Sequence, residues 1–303
     1  MKKTDYIWMN GSLIEWDKAT IHVLSHVVHY GSSWFEGIRC YKTKRGSAVF
    51  QLIPHLERLV DSAKIYRTTV PYSIDELSNA TLEVIRANNL ESCYIRPVVY
   101  RGFYELGVNP LRCPIETVIA TWEWGHYLGV DSIKNGIDVM TSSWRRFAGS
   151  TIPAMAKAGG NYINAQLIKM EALENGYAEG LVLDGHGNIS EGSGENIFIV
   201  KDGILYTPPL ASGVLYGITR GVVLRLAEEE EVDIREQVIP REFIYTADEV
   251  FFTGTAAEIT PVKTIDKISI GTGKPGAITM LLQDRFYRIT RDGIDEHNWL
   301  TWL

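Results

Sequence analysis

Ala156-Lys157-Ala158-Gly159-Gly160-Asn161-Tyr162 is the stretch on which the reading of this chain turns, taken with Ile189-Ser190-Glu191-Gly192-Ser193-Gly194-Glu195-Asn196 downstream. A lysine amine is the group that condenses with an aldehyde cofactor, and a carboxylate set beside such a cofactor holds a positive charge on it. Both stand here on glycine-rich backbone, where a flat molecule can lie close to the main chain. Lys157 falls between the small polar turn Gly149-Ser150-Thr151 and a periodic run at residues 162–173, so it sits in a connection entering a helix. Such connections carry function more often than they carry packing. Spacing alone leaves Glu191 and Glu195 as equal candidates for the acid.

Gly217-Ile218-Thr219-Arg220 precedes an amphipathic run, with Thr219 expected as the helix N-cap. Free backbone N–H groups would then face the space before that helix, as an anion requires. A helix end contributes only about 0.3–1 kcal/mol toward an exposed anion, so a buried phosphate also needs a cation. Arg58, on the helix expected to open at Pro54, is a candidate. Two further words are Phe35-Glu36-Gly37-Ile38-Arg39 and Gly254-Thr255-Ala256-Ala257-Glu258-Ile259-Thr260-Pro261-Val262.

These five ordered words closely resemble the branched-chain amino acid aminotransferases, members of the fold type IV pyridoxal phosphate enzymes. The resemblance runs from Tyr6-Ile7-Trp8 to about Val262 and implies an α+β chain of two domains. The first would be small and α/β, the second larger and β-barrel-like with flanking helices. The implied reaction is transamination of leucine, isoleucine and valine with 2-oxoglutarate. By the same resemblance Lys157 carries the cofactor and acts as general base, and Glu191 faces its pyridine nitrogen. Tyr162 meets the phenolic oxygen; Arg58, the Ile218 and Thr219 amides and Thr255 hold the phosphate. Arg96 receives the glutamate γ-carboxylate with Tyr30 assisting, since a buried carboxylate without a partner is too costly. Tyr94 and the turn Thr255-Ala256-Ala257 match the binders of the α-carboxylate. Phe35, Trp124, Tyr127 and Tyr162 match the apolar walls, and Arg39 keeps the family word or braces its strand. The loop Gly107-Val108-Asn109-Pro110 closes over the partner subunit's pocket in this family, which places Val108 at the site and implies a homodimer or larger homo-oligomer.

Composition is compatible with this. With 303 residues the chain exceeds one ordinary domain, and boundaries are expected at residues 1–123, a linker at 124–130 around Trp124-Gly125 and Gly129, and 131–303. A net charge of −7 disfavours nucleic acid as a partner. Cys40, Cys93 and Cys113 form no CxxC spacing, and no apolar run approaches a signal core or a membrane span, so a cytoplasmic protein is expected. Strands are expected at residues 6–13, 35–41, 48–52, 92–100, 117–122, 137–141, 180–184, 196–201 and 250–253. Helices are expected from Pro54, at residues 73–88, 162–174, 219–229 and 275–289.

Three other readings are open to the residues. One is another enzyme of the same scaffold: a D-amino acid or (R)-amine transaminase, or an aminodeoxychorismate lyase. A second is a metal protein, because His22, His26 and His29 would share one helix face, although no carboxylate or cysteine completes the set. The third is a non-catalytic binder of a phosphorylated ligand, which leaves Lys157 without a purpose.

Overall fold

The structure is a computed structural model that describes residues 2–125, 129 and 131–303. Contacts divide the chain into two compact units, the first made of Met1–Trp124, Ala156–Gly160 and Arg288–Leu303, the second of Gly125–Met155 and Asn161–Tyr287. Two segments that a division by sequence position assigns to the second domain, one of them carrying Lys157, therefore pack with the first unit.

The first unit is built on an eight-stranded sheet. Its order is Leu300–Trp302, Gly46–Phe50, Ile38–Thr43, Cys93–Arg101, Ile115–Trp122, Tyr6–Met9, Ser12–Glu15, with Ser33–Phe35 also paired to Cys93–Arg101. Residues 6–13, read as one strand, instead make a hairpin. Asn10 and Gly11 both take positive φ (49° and 96°), the backbone that a two-residue turn of matching twist demands.

Helix Ile74–Ala87 starts on a capping box in which Ser73 and Glu76 satisfy each other's main-chain N–H, an arrangement that contributes about 1 kcal/mol. It buries Leu77, Ala80, Val84 and Ile85 against the sheet. Helix Leu52–Ile65 begins two residues ahead of Pro54, after Gln51 in the left-handed region. Its buried face mixes Leu52, Leu56 and Leu59 with His55 and Ser62. Arg58 stands between those two polar groups at i+3 from His55, so the helix carries a polar stripe along its inner side.

The second unit is built on a nine-stranded mixed sheet, in the order Ile189–Gly192, Glu179–Leu183, Ile137–Arg145, Glu258–Ile265, Glu249–Gly254, Asn196–Lys201, Ile204–Thr207, Ile234–Glu236, with Ile268–Ser269 beside Glu258–Ile265. Strand Ile137–Arg145 runs parallel to both its neighbours. Val139, Leu181, Ile189, Ile197, Ile199, Phe252 and Ile265 pack together in one core cluster. Helices Tyr162–Glu174 and Ile218–Glu229 belong to this unit. Among the described residues no helix is long and apolar enough to cross a membrane.

Candidate active site

Lys157 is held by its own main chain. Its N–H donates to Ser62 Oγ at 3.0 Å, and its carbonyl accepts from Phe35 N at 3.1 Å. Ala158 bridges to Trp34, and Gly160 N donates to Gly31 O. The glycines beside Lys157 serve this contact. A Cβ on Gly159 would lie 2.3 Å from Ser33 Oγ, and one on Gly31 would lie 3.0 Å from Gly160 Cα. Their smallness admits a strand and not, as the sequence suggested, only a flat ligand. The half-buried side chain sends Nζ to 5.1 Å from the Phe35 ring centre.

Phe35 also meets Arg96, whose guanidinium lies 4.8 Å from the same ring centre, 5.4 Å from that of Tyr94 and 5.8 Å from that of Trp122. Arg96 Nη2 donates to Tyr94 Oη at 3.4 Å, and its Nε is buried without a partner. Among the described residues no carboxylate pairs with Arg96. A half-buried cation boxed by aromatic faces suits an anion that could supply the missing charge. Trp124 closes the edge of Tyr94 at 4.4 Å, and Trp122, absent from the sequence reading, lines the box as well.

Gly37 is what lets Tyr94 stand there. A Cβ at position 37 would lie 1.9 Å from Tyr94 Oη, and Tyr94 is buried and braced by two tryptophans. Gly37→Ala is expected to displace that hydroxyl, to cost about 1–3 kcal/mol of stability as an overpacked site does, and to weaken carboxylate binding. A urea midpoint equal to that of the parent protein would refute the steric argument.

In the second unit, Glu191 is buried and thoroughly partnered. Arg146 Nη2 lies 2.5 Å from its Oε1, Leu215 N donates to Oε2 at 2.9 Å, and Asn196 Nδ2 donates to Oε2 at 3.3 Å. Such donors suit a carboxylate that stays ionised. Glu195 differs. Burial and then the nearby Glu179 push its proton affinity up to about 8, with Gly194 N as its hydrogen-bond donor. The two acids that sequence could not separate thus sit in opposite electrostatic settings. Asn196 also donates to Leu215 O, and its Oδ1 would lie 1.8 Å from a Cβ on Gly217. It ties Glu191 to the entrance of helix Ile218–Glu229.

That helix starts one residue earlier than expected. Its N-cap is Gly217, in extended conformation and without a side-chain cap bond, and Thr219 lies inside the first turn. The Ile218 and Thr219 amides therefore stand at a helix start that no side chain caps, the arrangement that suits a phosphate. Thr255, Ala256 and Ala257 form the turn joining strands Glu249–Gly254 and Glu258–Ile265.

Comparison with known proteins agrees with this chemistry. The pattern of the family described as Amino-transferase class IV matches residues 33–265. The chain belongs to the class IV aminotransferase family. It is 52% identical over 301 residues to the branched-chain-amino-acid aminotransferase of Escherichia coli (strain K12), covering 99% of this chain and 97% of that protein. A crystal structure of an Escherichia coli branched-chain amino acid aminotransferase superposes with a TM-score of 0.96 at 51% identity, over 98% of this chain and 99% of the other. The branched-chain aminotransferase of the thermophilic archaeon Thermoproteus uzoniensis, solved with norvaline, gives 0.94 at 40% identity over 99% of each chain. The expected fold type IV architecture is thus the one present.

The remaining residues of this class IV aminotransferase fall as follows. Arg39 is buried and lies opposite Tyr94 in the strand register. Tyr162 opens helix Tyr162–Glu174 and is half-buried. Tyr30 is exposed at the end of the short helix His26–Tyr30, and Val108 is 91% exposed. Tyr127 lies outside the described residues. The three histidines do not share a helix face: His22 precedes the helix and packs against Phe103, His29 meets Val23 O, and buried His26 spans Ser32 Oγ and Gly107 O. Sequence reasoning missed Arg146, Asn196 and the buried His55. The signal available was polar residues recurring at core-facing helix positions, as His55 and Ser62 do.

Proposed function

We propose that this protein is a pyridoxal phosphate-dependent aminotransferase that transfers the amino group of leucine, isoleucine or valine to 2-oxoglutarate, giving branched-chain 2-oxo acids and glutamate, and that it works in the cytoplasm as a homodimer. The observation that carries the reading is the Phe35 ring, which has the amine of Lys157 at 5.1 Å and the carboxylate-seeking Arg96 at 4.8 Å. A nucleophilic amine and an anion receptor thus share one aromatic wall, as an amino-acid substrate with a distal carboxylate needs.

The residues fit the cofactor. Lys157 would hold its aldehyde carbon, Glu191 its ring nitrogen and Tyr162 its phenolic oxygen. Arg58, the amides of Ile218 and Thr219, and Thr255 would hold the phosphate. When bound, the ring supplies an electron sink for the bonding pair released at the substrate's Cα. The chain supplies the rest. Lys157 Nζ takes the Cα proton as general base. Tyr94 and the Thr255-Ala256-Ala257 turn hold the α-carboxylate. Phe35 and Trp124 would wall the side-chain cavity, and Arg96, with Tyr30, would neutralise the γ-carboxylate when glutamate occupies it. Arg39 braces the strand opposite Tyr94. The homodimer is supported by exposed apolar residues clustered in sequence around Val108, among them Phe103, Leu106 and Leu111, together with Val23 and Val28.

Kinetics with both substrates test this. Arg96→Ala is expected to lower kcat/KM for glutamate by about 100-fold or more, since removing one partner of a desolvated charge pair costs about 2–5 kcal/mol. The loss with leucine should stay below about 10-fold, because its side chain makes no charge contact. Equal losses for the two substrates would remove Arg96 from the proposed role.

A further inference from the structure

Glu36 is completely buried, and two side chains, Arg58 and His55, converge on its carboxylate. Arg58 Nε donates to Oε1 at 2.7 Å and Arg58 Nη2 to Oε2 at 2.8 Å, while His55 Nδ1 lies 2.7 Å from Oε2. Burial alone would push this carboxyl up, but the Arg58 guanidinium and the His55 imidazole more than reverse it and hold it well below the usual carboxylate range. His55 is itself pushed down, chiefly by burial, which favours the neutral ring donating to Glu36.

A buried ion pair of this kind is weak evidence for stability, because well-packed apolar side chains often serve as well. Its geometry has a different consequence. Glu36 occupies the Nε–Nη2 edge of a planar fork of five donors, which fixes the plane of the guanidinium and the course of its long stem. Arg58 is also the member of the cluster that reaches outward, at 11% side-chain exposure against 2% for His55 and none for Glu36. Helix Leu52–Ile65 carries His55 and Arg58 on the same stripe as Ser62, which holds the main chain of Lys157.

We propose that Glu36 and His55 are positioning residues that lock Arg58 in the orientation in which it receives the phosphate group of the cofactor. The proposal rests on the reading of Arg58 given above. Two effects oppose each other here. The Glu36 carboxylate subtracts charge from Arg58 and so weakens its pull on a phosphate, whereas fixing the side chain removes ordering entropy that binding would otherwise have to supply. The proposal holds that the second effect is larger.

The test compares holoenzymes of the parent, Glu36→Gln, His55→Gln, Arg58→Ala and Glu36→Gln/Arg58→Ala, with folding checked by circular dichroism. Cofactor release on dialysis is followed by absorbance, and rebinding is titrated with pyridoxal phosphate and with pyridoxal, which lacks the phosphate. Glu36→Gln is expected to weaken pyridoxal phosphate by about 10- to 100-fold, the range found when outer partners of metal ligands are removed, and to leave pyridoxal unchanged. His55→Gln should show the same phosphate-selective loss at about 3- to 10-fold, and it carries the test if Glu36→Gln does not fold. The double variant should bind no more weakly than Arg58→Ala alone, because Glu36 acts through Arg58. Unchanged or tighter pyridoxal phosphate binding in the folded Glu36 or His55 variant, equal losses for both ligands, or additive losses in the double variant would overturn the proposal. Parent-like pyridoxal phosphate binding by Arg58→Ala would overturn the reading of Arg58 and the proposal with it, whereas a loss there without one in Glu36→Gln overturns the proposal alone.

Discussion

Replacing Lys157 by alanine is expected to abolish transamination, with kcat lowered by about 10⁴-fold or more. A positioned general base alone contributes about 10²–10⁴, and the loss of the covalent tether adds to that. The fold should survive. Both anchoring contacts of residue 157, from its N–H to Ser62 Oγ and from Phe35 N to its carbonyl, belong to the main chain and are kept by alanine. The side chain is half-buried and reaches toward an aromatic face, so the change in unfolding free energy should stay within about 1 kcal/mol. Borohydride treatment of the parent protein followed by peptide mass analysis should place the cofactor's mass on the peptide containing Lys157. Lys169 is the instructive comparison, because its ammonium is held by Glu179 at 2.7 Å and by Ala178 O at 2.7 Å. A Lys157→Ala protein that keeps more than a tenth of parental kcat, or a reduced adduct on another lysine, would remove Lys157 from the centre of the chemistry.

Lys157 stood out in the sequence because it lies in a short word whose residue types the chemistry itself demands, whereas Glu191 was separated from Glu195 only by the family resemblance. The amphipathic helices were legible for a similar reason: Leu77, Val84 and Ile85 recur at the spacing of one buried face. What escaped depends on contacts between distant segments. Glu36 meets His55 and Arg58 across 19 and 22 positions, and nothing local distinguishes a histidine on a helix's inner stripe from one on its surface. Arg146 reads as a solvated charge until the fold buries it against Glu191. The shift of the N-cap from Thr219 to Gly217 has the same origin, since the Asn196 amide occupies the space where any side chain at 217 would begin. Gly159 shows the limit most clearly. Its need for smallness was apparent, but the cause, the close approach of Ser33, was not.

Glu191→Gln is expected to lower kcat by about 100- to 1,000-fold, the loss that accompanies removal of one preorganised polar partner of developing charge. Arg146, Leu215 N and Asn196 Nδ2 all offer hydrogen to the Glu191 carboxylate, so it stands as an anion able to keep a ring nitrogen protonated. Glutamine preserves the shape and one acceptor oxygen but not the charge. It also leaves the buried Arg146 guanidinium without its counter-ion, which should cost about 3–5 kcal/mol of stability. Glu195→Gln provides the opposing case. With its proton affinity raised to about 8 by burial and by Glu179, this carboxyl is mostly protonated at pH 7, and glutamine is a close mimic of that form. Activity should therefore change by less than about 5-fold. The sign of the pH effect follows as well. A folded-state value above the unfolded one means the native state binds the extra proton, so the contribution of Glu195 to stability declines as pH rises from about 4.5 to about 8. Glu195→Gln should flatten that decline, and Glu191→Gln should not. Urea unfolding across this pH range, run beside steady-state kinetics at pH 7, separates the two acids. A larger kinetic loss in Glu195→Gln than in Glu191→Gln would reverse their assignment.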